Sequence, residues 1–316
     1  MTRILLSMML FTSLATASAA NLFIKQGATG SACTLASPCG SIQEGVNVAN
    51  IDDTIFVAKG LYQENVTIPV GKNGISIIGS GATDTVVQSA GGTPGKEAPA
   101  GVAADIIMDV FSPRVTIASL SLIHPAAVPT KRDIGVFVRP PAINVTLRNS
   151  LIERRRIGST LEPTMPGSRG VLVFRATGSV IKQNHFRGNY QDHIHLPTSQ
   201  SLVVFNSVKG ATRLGIVVIQ ETATSLSTDN KILLNVVSAS QSDGIQIQGD
   251  NNGVFYNFVE NNQGAGIKLC GPASSPTCVA PGATATASYN LVLENHVINN
   301  TGGNIVDDGS NNIVYP

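Results

Sequence analysis

The sequence predicts an all-β chain wound as a single-stranded parallel β-helix, a solenoid with an asparagine ladder and an N-terminal helical cap. Three observations carry this. A degenerate repeat returns about every 22 residues where nothing is inserted, the size of one coil of parallel strands. Apolar residues alternate within each repeat, as in Gly135-Val136-Phe137-Val138, Gly170-Val171-Leu172-Val173, Gly215-Ile216-Val217-Val218, Gly244-Ile245-Gln246-Ile247 and Gly266-Ile267-Lys268-Leu269, so one set of side chains faces inward. A second half closes on an asparagine, giving the column Asn149, Asn184, Asn206, Asn235, Asn257 and Asn295. Stacked inward asparagines satisfy buried turn groups with their amides, so this column is read as structure rather than chemistry.

The elements follow in order. Met1-Thr2-Arg3, the apolar run 4–14 and Ala15-Thr16-Ala17-Ser18-Ala19-Ala20 have the form of a cleaved signal peptide over residues 1–20, which predicts a secreted or periplasmic protein. Its apolar run is too short for a membrane span, and no later stretch reaches the required length. Residues 21–316 are read as one domain, because a solenoid of 316 residues grows by adding coils. A cap occupies about 21–53. In it, Ser41-Ile42-Gln43-Glu44 is a capping box opening a short amphipathic helix through Val46 and Val48, which would cover the first coil. Strands Thr54-Ile55-Phe56-Val57 and Ile75-Ser76-Ile77-Ile78-Gly79 come next. The four cysteines pair locally, Cys33 with Cys39 and Cys270 with Cys278, since the intervening coils hold the two pairs roughly 40 Å apart. Insertions at 158–169 and 271–288 interrupt the coils and would form rims on the rod.

Residues 41–79 resemble the opening of the pectin-lyase-like right-handed β-helix superfamily, which includes pectate lyases, pectin methylesterases, alginate lyases and epimerases, and non-catalytic periplasmic members. The resemblance implies a right-handed coil over nearly the whole mature chain. It is specific for fold and leaves the activity open.

Charge is divided along the chain. Residues 131–213 hold thirteen Lys and Arg against four Asp and Glu, a balance of +9, and the rest of the chain stands at −8. A basic middle on an acidic rod favours an anionic partner. Export and the absence of Trp argue against nucleic acid, and the 5% aromatic content argues against neutral sugars. An anionic polysaccharide remains, held by guanidinium forks.

The chemically richest stretch is Tyr190-Gln191-Asp192-His193-Ile194-His195. His193-Ile194-His195-Leu196 fills the slot that Gly-Val-Phe-Val fills elsewhere. With Ile194 and Leu196 inward, His193 and His195 are expected on the same outer face. C5-proton chemistry on a uronic acid needs a cation for the enolate-like carboxylate, a base and an acid. Arg175 or Arg139 is expected as the cation, His193 or His195 as the base, Tyr190 as the acid, and Asp192 as an orienting group. Arg154, Arg155, Arg156, Gln246, Gln248 and Lys268 are expected to bind substrate.

The stretch is similar to the Asp-x-His signature of alginate epimerases preceded by Tyr, with Ile194 where the signature has His. It also resembles the Tyr-Gln-Asp segment of pectin methylesterases, whose second aspartate falls at Leu214, while Asp243 lies two coils on. The expected function is therefore a uronate lyase or C5-epimerase. The alternatives are a non-catalytic polysaccharide-binding or cell-envelope protein and, ranked lower, an esterase. Phe137, Leu172, Phe174, Val217 and Ile219 make an outer apolar patch that something should cover. No cofactor is expected and no metal site is read, since Asp250-Asn251-Asn252 and Asp307-Asp308-Gly309 look like turns.

Overall fold

Each coil of the chain makes three short strands separated by bends, and strands from successive coils pair in parallel. The result, in a computed structural model, is a β-helix with three sheets of eleven, nine and ten strands. The structure describes residues 18–91, 97–98, 102–125, 131–155, 167–220, 227–271, 278 and 286–315. The first sheet runs from Asn21–Ile24 to Ile313–Tyr315, the second from Gly60–Gln63 to His296–Ile298, and the third from Val66–Ile68 to Ile305–Asp307. The expected β-helix is therefore the observed one.

Inward columns of aliphatic residues fill the coil. Val136, Val171, Ile194, Ile216, Ile245 and Ile267 are successive register partners in the third sheet, all fully buried or nearly so. The helix Ile42–Val48 closes the first coil, with the expected capping box between Ser41 and Glu44. Its covering face is Ile42, Gly45 and Val46, whereas Val48 turns out to solvent. The Glu64 carboxylate accepts from the Ile42 and Gln43 amides at 2.8 and 3.0 Å, adding a second anionic cap. Both local cysteine pairs are bonded, with Cα atoms 4.6 and 5.5 Å apart.

The asparagine ladder stands, with one correction. Asn184, Asn206, Asn235, Asn257 and Asn295 link Nδ2 to Oδ1 at 2.9–3.1 Å along the bend between the first and second sheets. Asn149 is not in it: Arg148 pairs with Lys182, which leaves Asn149 one position early, in the left-handed region at φ 52°. Ser150 occupies the slot, its amide donating to Asn184 Oδ1 at 3.1 Å. Asparagine tolerates that backbone region, so a left-handed Asn and a ladder Asn look alike in sequence.

Two further ladders run along the other bends. Asn230, Asn252, Asn290 and Asn312 join at 3.0–3.1 Å, and Asn262 donates to Asn300 at 2.9 Å. The pairings of Arg187 with Lys209 and Asp192 with Leu214 place Ala211 level with Asn189, and Ser240 follows on this third column. Ala211 breaks the ladder there. Fully buried Asn189 has neither amide atom hydrogen-bonded, and Ser240 Oγ is likewise unpartnered. Ala211→Asn is expected to bridge the gap and raise stability by about 1 kcal/mol, read as a higher urea midpoint. An unchanged or lower midpoint would show that the slot does not accept an amide.

Candidate active site

The third sheet contains a change of phase that decides which side chains meet. The position before the Val136 column, held by Gly135, Gly170, His193, Gly215 and Gly244, also points inward. A Cβ on Gly170 would stand 3.2 Å from the Phe186 ring, and one on Gly215 2.6 Å from Val237 Cγ1. Two successive residues thus face the core, a bulge repeated coil after coil. Glycine is the ordinary occupant because little room is left.

His193 takes the glycine slot. Its ring lies 6.1 Å from Phe186 and 6.0 Å from Tyr190, fully buried, with Nε2 3.1 Å from the Lys209 carbonyl oxygen. The expectation that His193 and His195 share the outer face is therefore corrected: His193 is inside. The same phase change brings Asp192 and His195 together outside. Asp192 Oδ2 lies 2.9 Å from His195 Nδ1, and both residues are buried.

Asp192 is the centre of a charged group built from neighbouring strands. Arg169, its register partner, approaches Oδ2 at 3.0 Å. Arg213 forks onto the carboxylate at 2.8 and 2.5 Å. Gln191 Oε1 accepts from the Gly167 amide at 2.6 Å and from Arg169 Nη1 at 2.8 Å, fixing that guanidinium. Burial opposes ionisation of Asp192, but the Arg169 and Arg213 charges and the His195 and Arg213 hydrogen bonds outweigh it and hold its carboxyl well below the usual carboxylate range. The carboxyl pKa is depressed on folding. Its contribution to stability is therefore complete above the ordinary carboxyl value of 3.8, and is lost as pH falls toward the folded one.

The other expected groups are dispersed. Arg175 is exposed, with its guanidinium 5.0 Å from the Phe174 ring and its amide bonded to the Pro197 carbonyl. Pro197 is four residues beyond His193, roughly 13 Å along the strand, so Arg175 and His193 do not meet on one sugar. Arg139 forks onto Asp109 at 3.0 and 2.6 Å and packs over Phe111 and Phe137. Gln246 and Gln248 are buried. Lys268 lies three register steps from His195, through Val217 and Gln246, and pairs with Asp308 at 3.4 Å. Phe137 and Leu172 cluster with Ala104, Ile106, Ile134 and Phe174, while Val217 clusters with Leu214 and Ile219, both groups separate from the main core. Of the expected outer apolar patch, Phe137, Leu172, Val217 and Ile219 are buried and Phe174 is half-buried. Arg156, most of both insertions and residues 221–226 lie outside the described residues.

Tyr190 faces inward, at the bend between the second and third sheets. Its hydroxyl is 2.8 Å from His124 Nδ1. Arg154, expected as a surface cation, also turns inward, 1% exposed, with Nε 2.5 Å from Asp133 Oδ2. Asp105 on the preceding coil accepts from Asn65 at 2.7 Å and from Ser89 at 2.5 Å. Burial pushes the Tyr190 phenol well above its ordinary value; Asp133 adds to this, Arg154 opposes it, and Asp105 and Glu153 add further. Asp105, His124 and Asp133 offer ligand atoms within 4.8 Å of one another and could hold a metal ion. Arg154 already offsets that charge. The sequence signal for His124 was available: Leu122 is inward, so His124 two residues later is a polar residue at an inward position.

A family model described as a right handed β-helix region matches residues 134–279. The fold is that of a right-handed parallel β-helix. No curated protein matches it in sequence. Among solved structures, it is similar to the Dettilon tailspike protein at 16% identity and TM-score 0.57, covering 80% of this chain and 45% of the tailspike, so it spans less than half that protein's length. It is also similar to an alginate lyase from Paenibacillus sp. str. FPU-7, at 14% identity and TM-score 0.54, covering 92% and 99% of the two chains. The A-module of a mannuronan C-5 epimerase from Azotobacter vinelandii matches at 13% identity and TM-score 0.50, over 93% and 98%. At these identities the likeness is one of fold. No helix among the described residues is long and apolar enough to cross a membrane.

Proposed function

We propose that this β-helix acts on an acidic, uronic-acid polysaccharide by abstraction of the C5 proton, as a lyase or C5-epimerase. The observation that supports this best is the outward Asp192–His195 pair set between the Arg169 and Arg213 guanidiniums. Asp192 orients the imidazole through Nδ1, so Nε2 is the atom that would take the proton. The guanidiniums supply the positive field in which a sugar carboxylate becomes enolate-like.

In elimination the C5–H electrons form the C4–C5 double bond and the C4–O4 bond breaks. The proton held by His195 returns to O4. One imidazole serves both transfers, whereas inversion needs a second donor on the opposite ring face. Tyr190, the expected acid, is on the inner side of the sheet, so the arrangement favours elimination. The burial of Asp192 and His195, 0% and 2% exposed, favours the second reading, a non-catalytic binder of the same glycans.

The same reading includes export through the leader at residues 1–20, supported by two disulfides. Incubation with a panel of polyuronates tests the activity, with unsaturated product followed by ultraviolet absorbance and C5 inversion by proton NMR. Unsaturated product is expected on at least one polymer. Neither product across the panel would leave the binder.

A further inference from the structure

A cleft of about 920 Å³ lies outside the second sheet, at the edge nearest the third. Glu153, Arg187 and Lys209, on three successive strands, are register partners and line it together, so their side chains repeat about every 4.8 Å along the axis. Arg187 forks onto Glu153 at 3.0 and 3.2 Å, and Arg155 stands 3.9 Å from the same carboxylate. Beside the buried Arg154, the lining thus sets one acid among Arg155, Arg187 and Lys209, and the Arg155 and Arg187 side chains remain 53% and 59% exposed. The register row itself goes on through Ser238 and Glu260, and over those two coils the cleft is lined instead at the adjoining bend, by Gln241 and Gln263, three positions beyond them.

We propose that this cleft is a row of subsites for an anionic glycan lying parallel to the helix axis. Acidic sugars occupy the Arg187 and Lys209 end, and uncharged sugars the Gln241 and Gln263 end. An extended pyranose chain advances by about one coil spacing per sugar, so each residue meets a new coil. Guanidinium and ammonium groups select carboxylates, while amides donate to and accept from hydroxyls. The turn 210–213 joins the cleft to the site above: Gly210 and Ala211 line the cleft, and Arg213 holds Asp192. The assignment rests on the acidic-polysaccharide reading and adds the surface that recognises the polymer.

Calorimetric titration of the full chain with oligouronates of two to five residues, at low and high salt, tests it. Affinity is expected to rise with length. Arg187→Ala and Lys209→Ala each weaken tetramer binding by about tenfold and flatten its salt dependence. Gln263→Ala weakens a mixed pentamer that carries neutral sugars at one end and leaves the uronate dimer unchanged. A double Arg187→Ala, Lys209→Ala variant that binds like the unaltered chain overturns the cleft, because the cations then serve only Glu153. If the unaltered chain binds none of the oligomers, the acidic-polysaccharide reading itself fails.

Discussion

His195→Ala is expected to lower polyuronate turnover by about 10²–10⁴-fold, the range of a lost general base, while saccharide affinity changes by no more than about twofold. The imidazole is oriented by the contact of Nδ1 with Asp192 at 2.9 Å, and Asp192 is held in turn by two guanidiniums. Removing the ring leaves the Arg169–Asp192–Arg213 group intact, so the substrate's carboxylate keeps its electrostatic environment and only proton transfer is lost. His193→Ala serves as the contrast. That ring is packed against Phe186 and Tyr190 inside the coil, and its loss should appear first as a lower unfolding midpoint. Equal turnover in His195→Ala and the unaltered chain would remove His195 as the base.

Arg154→Ala is expected to destabilise the fold by about 3–5 kcal/mol, because it strips the guanidinium from a buried Asp133 and leaves that carboxylate without its counter-charge. The loss should show as a large drop in urea midpoint, with saccharide binding by the remaining folded protein preserved. The paired Arg154→Leu, Asp133→Leu variant should recover most of the stability, since apolar replacement of both partners leaves no isolated charge. A single variant that unfolds normally and loses only saccharide affinity would return Arg154 to the surface role its place in the Arg154-Arg155-Arg156 run suggests. The two outcomes are separable because stability and affinity are measured on the same samples.

Much of the fold was legible because a solenoid writes the same physical requirement many times. Apolar alternation and asparagine bends recur, and no single ambiguous coil obscures them. The errors in register came where one position is chemically degenerate, as at Asn149, which is left-handed rather than laddered. The site was legible only as a region. Tyr190, Asp192, His193 and His195 drew attention through their chemistry, but strict alternation from Ile194 puts Asp192 and His193 on the wrong faces while it leaves His195 correctly outside. The bulge at the glycine column inserts one extra inward residue, and no side chain in a glycine slot announces which way it points. Asp105, His124 and Asp133 come from earlier coils and meet Tyr190 only after winding. Arg169 and Arg213 were within reach of the register argument, since each lies beside Asp192 on an adjacent coil, whereas Arg175 was favoured for nearness in the repeat.

The three ladders begin at different points. Ser150 starts one, Ser201 another and Ser240 the third. The number of clamped corners therefore rises in three steps toward the C-terminus, at Ser150, Ser201 and Ser240. Asp192 and His195 lie on a coil clamped at the first corner, just before the second ladder begins. Their acid–base geometry is anchored from one side and compliant toward the other, which is the mechanical condition under which a buried pair can be rigidly aligned and still yield to an arriving chain.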